Sequence, residues 1–233
     1  MINSTITKLA LQALLGRRRF WVLVAFPVLM LALTGALVAM ADGDAGFQLV
    51  AILGLPLVLP LVAILASSAV LGPEVDDGSV VYLLSKPVDR HVVAVSKWVV
   101  AWATTIVVGA GSLLVAGLVA GGGEQALAWF VAAAAAGTAY SALFLALSAL
   151  TRHAVVIGLV FVLIWENLLG SILSGIAWLS VTAWGVRIGH EVSSVLDAPA
   201  NLPWALAACL VVTVGGLWFA GDRLRSFALT GDE

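Results

Sequence analysis

Long apolar runs alternate with short polar connections along the whole chain. Six runs are evident, at residues 20–41, 47–72, 98–121, 127–150, 154–178 and 203–220. Each is close to the roughly 20 residues that a helix needs to cross the hydrocarbon core of a bilayer. A transmembrane barrel would instead show segments of about ten residues with alternating polarity, which the sequence lacks. The pattern therefore predicts an all-α, polytopic membrane protein with six transmembrane helices in one domain, residues 1–233.

Composition supports the membrane assignment. Of the 233 residues, 62% are hydrophobic and 10% are charged, whereas a soluble domain has about 25% charged residues. The formal net charge of -2 gives no basic excess, so we expect no nucleic-acid partner. The single cysteine, Cys209, excludes a disulfide framework or a cysteine metal cluster within one chain. The three histidines are far apart in sequence, and we expect no metal site.

The distribution of basic residues predicts the orientation. If the N-terminus is cytoplasmic, that side receives all but one of the 11 Lys and Arg residues, namely Lys8, Arg17, Arg18, Arg19, Lys86, Arg90, Lys97, Arg152, Arg223 and Arg225. Only Arg187 falls on the other side. Positive charge is enriched in cytoplasmic loops of membrane proteins. We therefore expect both termini inside, in the inner or plasma membrane of a prokaryotic-type cell.

Residues 1–19 precede the first apolar run. Ile2, Ile6, Leu9 and Ala13 fall on one helical face, which predicts a cytoplasmic surface helix with its arginines near lipid head groups. A simple basic flank that fixes the topology is the open alternative. The run that follows ends in an A-x-A pattern, but it is too long for the apolar region of a usual signal peptide, so we expect it to be retained.

The longest cytoplasmic connection, residues 73–97, is unlike a plain linker. It holds a compact apolar patch between acidic and basic residues, namely Val80, Val81, Tyr82, Leu83 and Leu84. The patch is too short to span a bilayer, and an exposed apolar patch of this kind marks a contact surface. We expect it to dock on the membrane surface or on a cytoplasmic partner.

The outer connection, residues 179–202, also carries a pattern. Apolar residues recur at helical spacing opposite polar ones, as in Trp184, Ile188 and Val192. This predicts an amphipathic helix at the outer interface or a shallow re-entrant hairpin. A structural lid is favoured over a binding site.

Glu166 is the only charged residue in the interior of an apolar run. Counted from Ala154 at about 1.5 Å per residue, it lies roughly 18 Å along its helix, near the midplane. A carboxylate there is costly, so it should face a cavity, be protonated or meet a donor. With Trp165 and Asn167 beside it, Glu166 is a candidate to hold a cationic substrate or to carry a proton. The alternative of equal weight is a hydrogen bond that fixes helix packing, with Asn167, Ser171 or Ser174 as partner.

Small residues and prolines indicate where helices approach or bend. Small pairs at four-residue spacing allow close helix contact, within the subunit or in a dimer; they are Gly117 with Gly121, Ser112 with Ala116, and Ser171 with Gly175. Pro27, Pro56 and Pro60 remove backbone donors inside apolar runs and should bend those helices.

The connection at 73–97 resembles that of the membrane subunits of type 2 ABC exporters. The likeness rests on an acidic residue, a glycine, an apolar pair, a Pro-x-x-Arg turn and a lysine before the third span, here Glu74, Gly78, Leu83, Leu84, Ser85, Pro87, Arg90 and Lys97. Six spans, an N-terminal surface helix and short helices between spans five and six extend the resemblance over nearly the whole chain.

The resemblance implies a permease that works as a dimer, with a second copy or a related subunit. A coupling helix at about residues 78–85 would press on a separate ABC ATP-binding subunit, which would hold ATP and Mg²⁺. The residues implied in coupling are Glu74, Gly78, Val81, Tyr82, Leu83, Leu84 and Arg90.

The residues themselves indicate a need for a partner. No lysine follows a glycine anywhere, so the chain has no phosphate-binding loop of its own. We expect no cofactor in this chain, with ATP and Mg²⁺ bound by the partner ATPase. We expect a transport subunit rather than an enzyme. Two alternatives remain: an intramembrane enzyme that uses Glu166 as acid or base on a lipid-like substrate, and a non-transporting anchor for an ATPase.

Overall fold

The computed structural model describes residues 4–14, 16–40, 43–76, 90–169, 175–196 and 201–229. Within these ranges all regular elements are helices and no strand occurs. The α-helices are α1 (Ser4–Leu14), α2 (Arg17–Met40), α3 (Gly43–Leu49), α4 (Leu59–Asp76), α5 (Arg90–Thr104), α6 (Gly111–Ala120), α7 (Gly123–Leu150), α8 (Ala154–Phe161), α9 (Val181–His190) and α10 (Leu202–Leu229). The described residues also form three π-helical segments, Val50–Val58, Thr105–Ala110 and Val162–Leu169, and a 3₁₀ turn at Ile176–Leu179.

Five stretches of the described chain are long and apolar enough to cross a membrane. They are Trp21–Met40, Asp44–Leu71, Arg90–Ala120, Gly123–Leu150 and Leu202–Leu224. The all-helical membrane fold expected from the sequence is thus present. A sixth apolar helix, Ala154–Leu169, is shorter. The six-span arrangement with both termini inside stays a prediction.

The fifth apolar run differs from the continuous helix expected over residues 154–178. Its regular helix ends at Leu169 in the described chain. Glu166 and Ser180 would be roughly 21 Å apart along a continuous helix at about 1.5 Å per residue, yet Ser180 Oγ lies 2.5 Å from Glu166 Oε2. The chain must therefore turn back between them.

Helix α7 is the centre of the bundle and contacts α4, α6, α9 and α10. Its buried positions are dominated by alanine: Ala126, Ala128, Ala132, Ala133, Ala136, Ala139, Ala142, Ala146 and Ala149. Small side chains let neighbouring helix backbones approach closely, which is how helices pack inside a bilayer. On α10, for example, a Cβ added at Gly216 would lie 2.9 Å from the Ala142 carbonyl oxygen.

The two helices at the periphery of the bundle, α2 and α10, expose apolar surface. Only 22% of the apolar window of Trp21–Met40, and 6% of that of Leu202–Leu224, is buried within the chain. Large side chains such as Leu210, Val211 and Trp218 are more than half exposed. Such a surface is unfavourable in water and suits contact with lipid.

Helix α9 runs along α7 in the opposite direction. Thr182 meets Tyr140 near its start, a Cβ on Gly185 would touch Ala132, and one on Gly189 would touch Ala128. A helix that follows α7 over this length lies inside the bundle and not flat on its outer end. From the sequence alone, an amphipathic helix at the outer interface and a shallow re-entrant hairpin were both open.

The N-terminal helix α1 buries Ala10 and Leu14, and Leu14 lines a groove with Val100 of α5. Leu9, on the apolar face expected from the sequence, is 56% exposed. A face that packs on α5 and α4 is thus present beside the exposed Leu9, and the cytoplasmic surface helix stays a prediction.

Three of the small residues expected at helix contacts, Ser112, Ala116 and Gly117, pack within the chain. A Cβ on Gly117 would lie 2.6 Å from Ala126 Cα, so this glycine permits the tight turn between α6 and α7. Ser112 and Ala116 are also buried. A Cβ added at Gly175 would meet no described atom within 4 Å, and Ser171 lies outside the described residues.

Candidate functional site

Glu166 lies on the π-helical segment Val162–Leu169 and is 7% exposed. Three donors from one short stretch surround its carboxylate. Ser180 Oγ donates to Oε2 at 2.5 Å, Val181 N–H donates to Oε1 at 2.9 Å, and Thr182 N–H donates to Oε2 at 3.3 Å. Both carboxylate oxygens are thus held by the start of α9.

This arrangement caps α9 from another helix. The first N–H groups of a helix have no partner within it, and the helix dipole is positive at that end. Glu166 supplies acceptors to two of these groups and places negative charge beside the dipole. Ser180, in an extended conformation, is the N-cap, and its Oγ also accepts from Ala183 N–H at 3.2 Å. The hydroxyl therefore donates to Glu166 while it accepts from α9.

Tyr140 joins the same cluster to α7. Its side chain is fully buried, and its hydroxyl lies 2.9 Å from Thr182 Oγ1. The Tyr140 ring stacks on Phe144 with centroids 5.5 Å apart, which fixes its direction. Near the Glu166 carboxylate, α9 is therefore hydrogen-bonded to α7 as well.

Asn167 points to a different neighbour. Its Nδ2 donates to the carbonyl of Pro56 at 3.1 Å and to that of Val162 at 2.9 Å. In an α-helix the Pro56 carbonyl would accept from residue 60, but Pro60 has no N–H. Asn167 thus supplies a donor to the irregular part of the second span, where Leu59 N–H bonds to the Gly54 carbonyl in π-helical fashion.

Tryptophans secure the 3₁₀ turn before α9. Trp165 Nε1 donates to the Leu179 carbonyl at 3.5 Å. Trp184 and Trp204 Nε1 both donate to the Trp178 carbonyl at 2.8 Å. The turn is thereby tied to the fifth apolar helix, to α9 and to α10.

The three residues expected along the substrate pathway, Trp165, Glu166 and Asn167, therefore lie together, and each side chain hydrogen-bonds to protein groups. These contacts support the packing alternative for Glu166, with Ser180 as a partner that the sequence did not suggest; Ser171 and Ser174 lie outside the described residues. A role toward substrate stays a prediction. Among the described residues no group of three or more His, Cys, Asp and Glu side chains is placed to hold a metal ion.

Most of the expected coupling residues, Gly78, Val81, Tyr82, Leu83 and Leu84, lie outside the described residues. Glu74 belongs to α4, and Arg90 is the first residue of α5. The two helices that flank this connection are joined by Lys97. Its side chain is 1% exposed, and Nζ donates to the Val70 carbonyl at 2.9 Å.

The contact made by Lys97 was not anticipated from the sequence, although a signal existed. Lys97 follows the buried residues Val93 and Ala94 and precedes Val100 and Ala101 at helical spacing. A lysine on a buried face must bring its ammonium group to an acceptor. A carbonyl near the end of the neighbouring helix serves that purpose.

Further hydrogen bonds link the same ends of α4, α5 and α7. Ser67 Oγ donates to the Ser141 carbonyl at 3.2 Å, and Trp98 Nε1 donates to Ser141 Oγ at 3.0 Å. These helices therefore form one hydrogen-bonded unit next to the connection 77–89.

Comparison with known proteins identifies the family. No curated protein matches the chain. The family model described as ABC-2 family transporter protein matches residues 5–218, which is most of the chain and includes the Glu166 cluster and Lys97. A helical bundle with several apolar spans is what a transporter membrane subunit requires. The chain belongs to the ABC-2 transporter family and is a membrane permease subunit of that family.

Proposed function

We propose that the chain is the permease of an ATP-driven exporter in the cell membrane, acting as a dimer with a separate ATP-binding subunit. The observation that carries this proposal is the family match over residues 5–218. Members of this family typically work with an ATP-binding subunit. The sequence has no Gly-Lys pair and hence no phosphate-binding loop, so ATP and Mg²⁺ would be bound by the partner.

The connection 73–97 would be the contact with the ATP-binding subunit. Its apolar patch at residues 80–84 lies between α4 and α5. Lys97 joins these two helices through the Val70 carbonyl, and Ser67 and Trp98 join them to Ser141 on α7. A push on the patch would then displace three helices together and not bend one helix alone.

The substrate pathway would run beside the Val162–Leu169 segment. Trp165, Glu166 and Asn167 lie on it, while Leu163, Ile164 and Leu168 of the same segment are about half exposed and apolar. Such a wall suits an amphiphilic or lipid-like substrate. The intramembrane-enzyme alternative gains no support from these contacts, since both oxygens of Glu166 are bonded to α9.

Reconstitution tests this function. The chain is purified with the ATP-binding subunit that accompanies it in native membranes and is placed in vesicles. We expect ATP-dependent movement of a fluorescent cationic amphiphile across the bilayer, and none with the non-hydrolysed analogue AMP-PNP. Movement of equal rate without ATP, or a chain that purifies with no ATPase, would overturn the proposal.

A further inference from the structure

Two adjacent side chains connect the fifth apolar helix to two different parts of the bundle. Glu166 accepts three hydrogen bonds from residues 180–182, at the start of α9. Asn167 donates to the carbonyl of Pro56 in the second span. The second span and α9 are thus each held by one residue of the same π-helical segment.

Neither contact is easily given up. The Glu166 carboxylate is buried, and a buried charge without partners is costly. The N–H groups of Val181 and Thr182 need acceptors for the same reason. Asn167 donates to the carbonyl of Pro56. In an α-helix that carbonyl would accept from residue 60, but Pro60 has no N–H. If the second span moves near Pro56, breaking either contact would cost free energy. Asn167 should therefore move with the second span, and Glu166 and α9 should move with Asn167.

We propose that Glu166 and Asn167 are positioning residues that couple the second span to α9, so that the two move as one unit. The second span continues into α4, which leads to the connection 77–89. On the function proposed above, a push at this connection would thereby reach α9 at the opposite end of the bundle. The coupling itself requires neither nucleotide nor ATPase.

Coupling between two sites must be reciprocal. Breaking the Asn167 contact should therefore move α9, although the Asn167 side chain bonds to the Pro56 and Val162 carbonyls, and breaking the Glu166 contact should move the second span. If the two contacts act separately, each substitution will affect only the helix that it holds. This difference allows a direct test.

The test uses spin-label distances in the full chain, in a Cys209→Ser background. One label pair reports on the segment after α9, with Glu124→Cys and Val195→Cys. A second pair reports on the outer part of the second span, with Gln48→Cys and Leu118→Cys. All four positions are exposed, so labels fit without disturbing the core. Labelled chains are diluted with unlabelled chains so that distances within one chain are measured.

Asn167→Leu should shift or broaden the distance distribution of the first pair, and Glu166→Gln that of the second. Glu191→Ala and Asn201→Ala serve as matched controls, because Glu191 makes a surface pair with Arg187 and Asn201 accepts from Trp204 N–H at the start of α10. Both controls should leave both distributions unchanged. If Glu166→Gln does not fold, Ser180→Ala replaces it, since it removes one donor and leaves the carboxylate in place.

Effects confined to the directly contacted helix would overturn the proposed coupling. That result would leave the transport function standing, because the measurement contains no ATP-binding subunit. Conversely, reciprocal shifts in a chain without ATP-dependent transport would support the coupling and count against the transport function alone.

Discussion

Lys97 Nζ donates a hydrogen bond to the main-chain carbonyl of Val70 at 2.9 Å, and so joins the two helices that flank the connection 77–89. The side chain is almost fully buried, at 1% exposure. An ammonium group in such a place is tolerated only with acceptors close by. The contact therefore fixes the spacing of α4 and α5 where the connection 77–89 leaves the bundle.

Lys97→Ala should destabilise the protein. It removes a hydrogen bond made by a charged group, which contributes about 1.5–3 kcal/mol, and leaves space in a packed region. Lys8→Ala is the matched control, because Lys8 is exposed on α1. Denaturant titration in detergent measures both. Equal free energies of unfolding for the two variants would show that the Lys97 contact does not contribute to the stability of the fold.

Gly185→Ala and Gly189→Ala should each weaken the packing of α9 on α7. The new Cβ would lie 2.6 Å from the Ala132 carbonyl oxygen in the first case and 2.7 Å from that of Ala128 in the second. Overpacking of this kind costs about 1–3 kcal/mol. Gly175→Ala should be neutral by comparison, since no atom of the described residues lies within 4 Å of its Cβ position. The midpoint of thermal unfolding in detergent gives the ranking, and three equal midpoints would contradict the packing described.

Tyr140→Phe and Thr182→Val should show a coupling energy in a double-mutant cycle. Each removes one partner of the 2.9 Å hydroxyl contact between α7 and α9. Hydrogen bonds between membrane helices average about 0.6 kcal/mol in such cycles, so the double variant should lose less stability than the two single losses added together. Strict additivity of the free energies of unfolding would mean that the two hydroxyls do not interact.

Cysteine labelling should settle whether the short helix Ala154–Leu169 takes the chain across the bilayer. In a Cys209→Ser background, a membrane-impermeant thiol reagent should reach Glu124→Cys and Val195→Cys from outside, and Arg152→Cys only after permeabilisation. The reason is that all but one of the basic residues fall on the side assigned to Arg152. Labelling of positions 152 and 195 from the same side would exclude the six-span arrangement.

Much of the helical bundle follows from hydrophobicity alone. A stretch of some 20 apolar residues must form a helix in lipid, because no water is present to bond its backbone. Five of the expected runs correspond to candidate spans for this reason. The position of Glu166 as a buried acid in such a run was also evident, since charge inside a span stands out against its neighbours.

The partners of Glu166 were not evident, because they depend on a chain reversal that hydrophobicity does not record. Residues 154–178 are apolar enough for one long helix, and the contact with Ser180 overrides that preference. Ser180 carried the usual N-cap signal, a serine directly before a helical pattern. No local sequence pattern indicates which acidic residue will approach the N-terminus of α9. Likewise, the bond from Asn167 to Pro56 joins residues that are distant in sequence, and only the packed bundle brings them together.

We propose above all that an ATP-binding subunit acts on this permease through the apolar patch at residues 80–84. The most direct measurement is the ATPase activity of the reconstituted complex with those five residues replaced by serine. In the control, the exposed residues Val192 and Val195 are replaced instead. We expect loss of co-purification or of permease-dependent ATPase activity for the first variant and full activity for the control. If the variant with residues 80–84 replaced by serine still binds the ATPase and stimulates it normally, the proposal is contradicted.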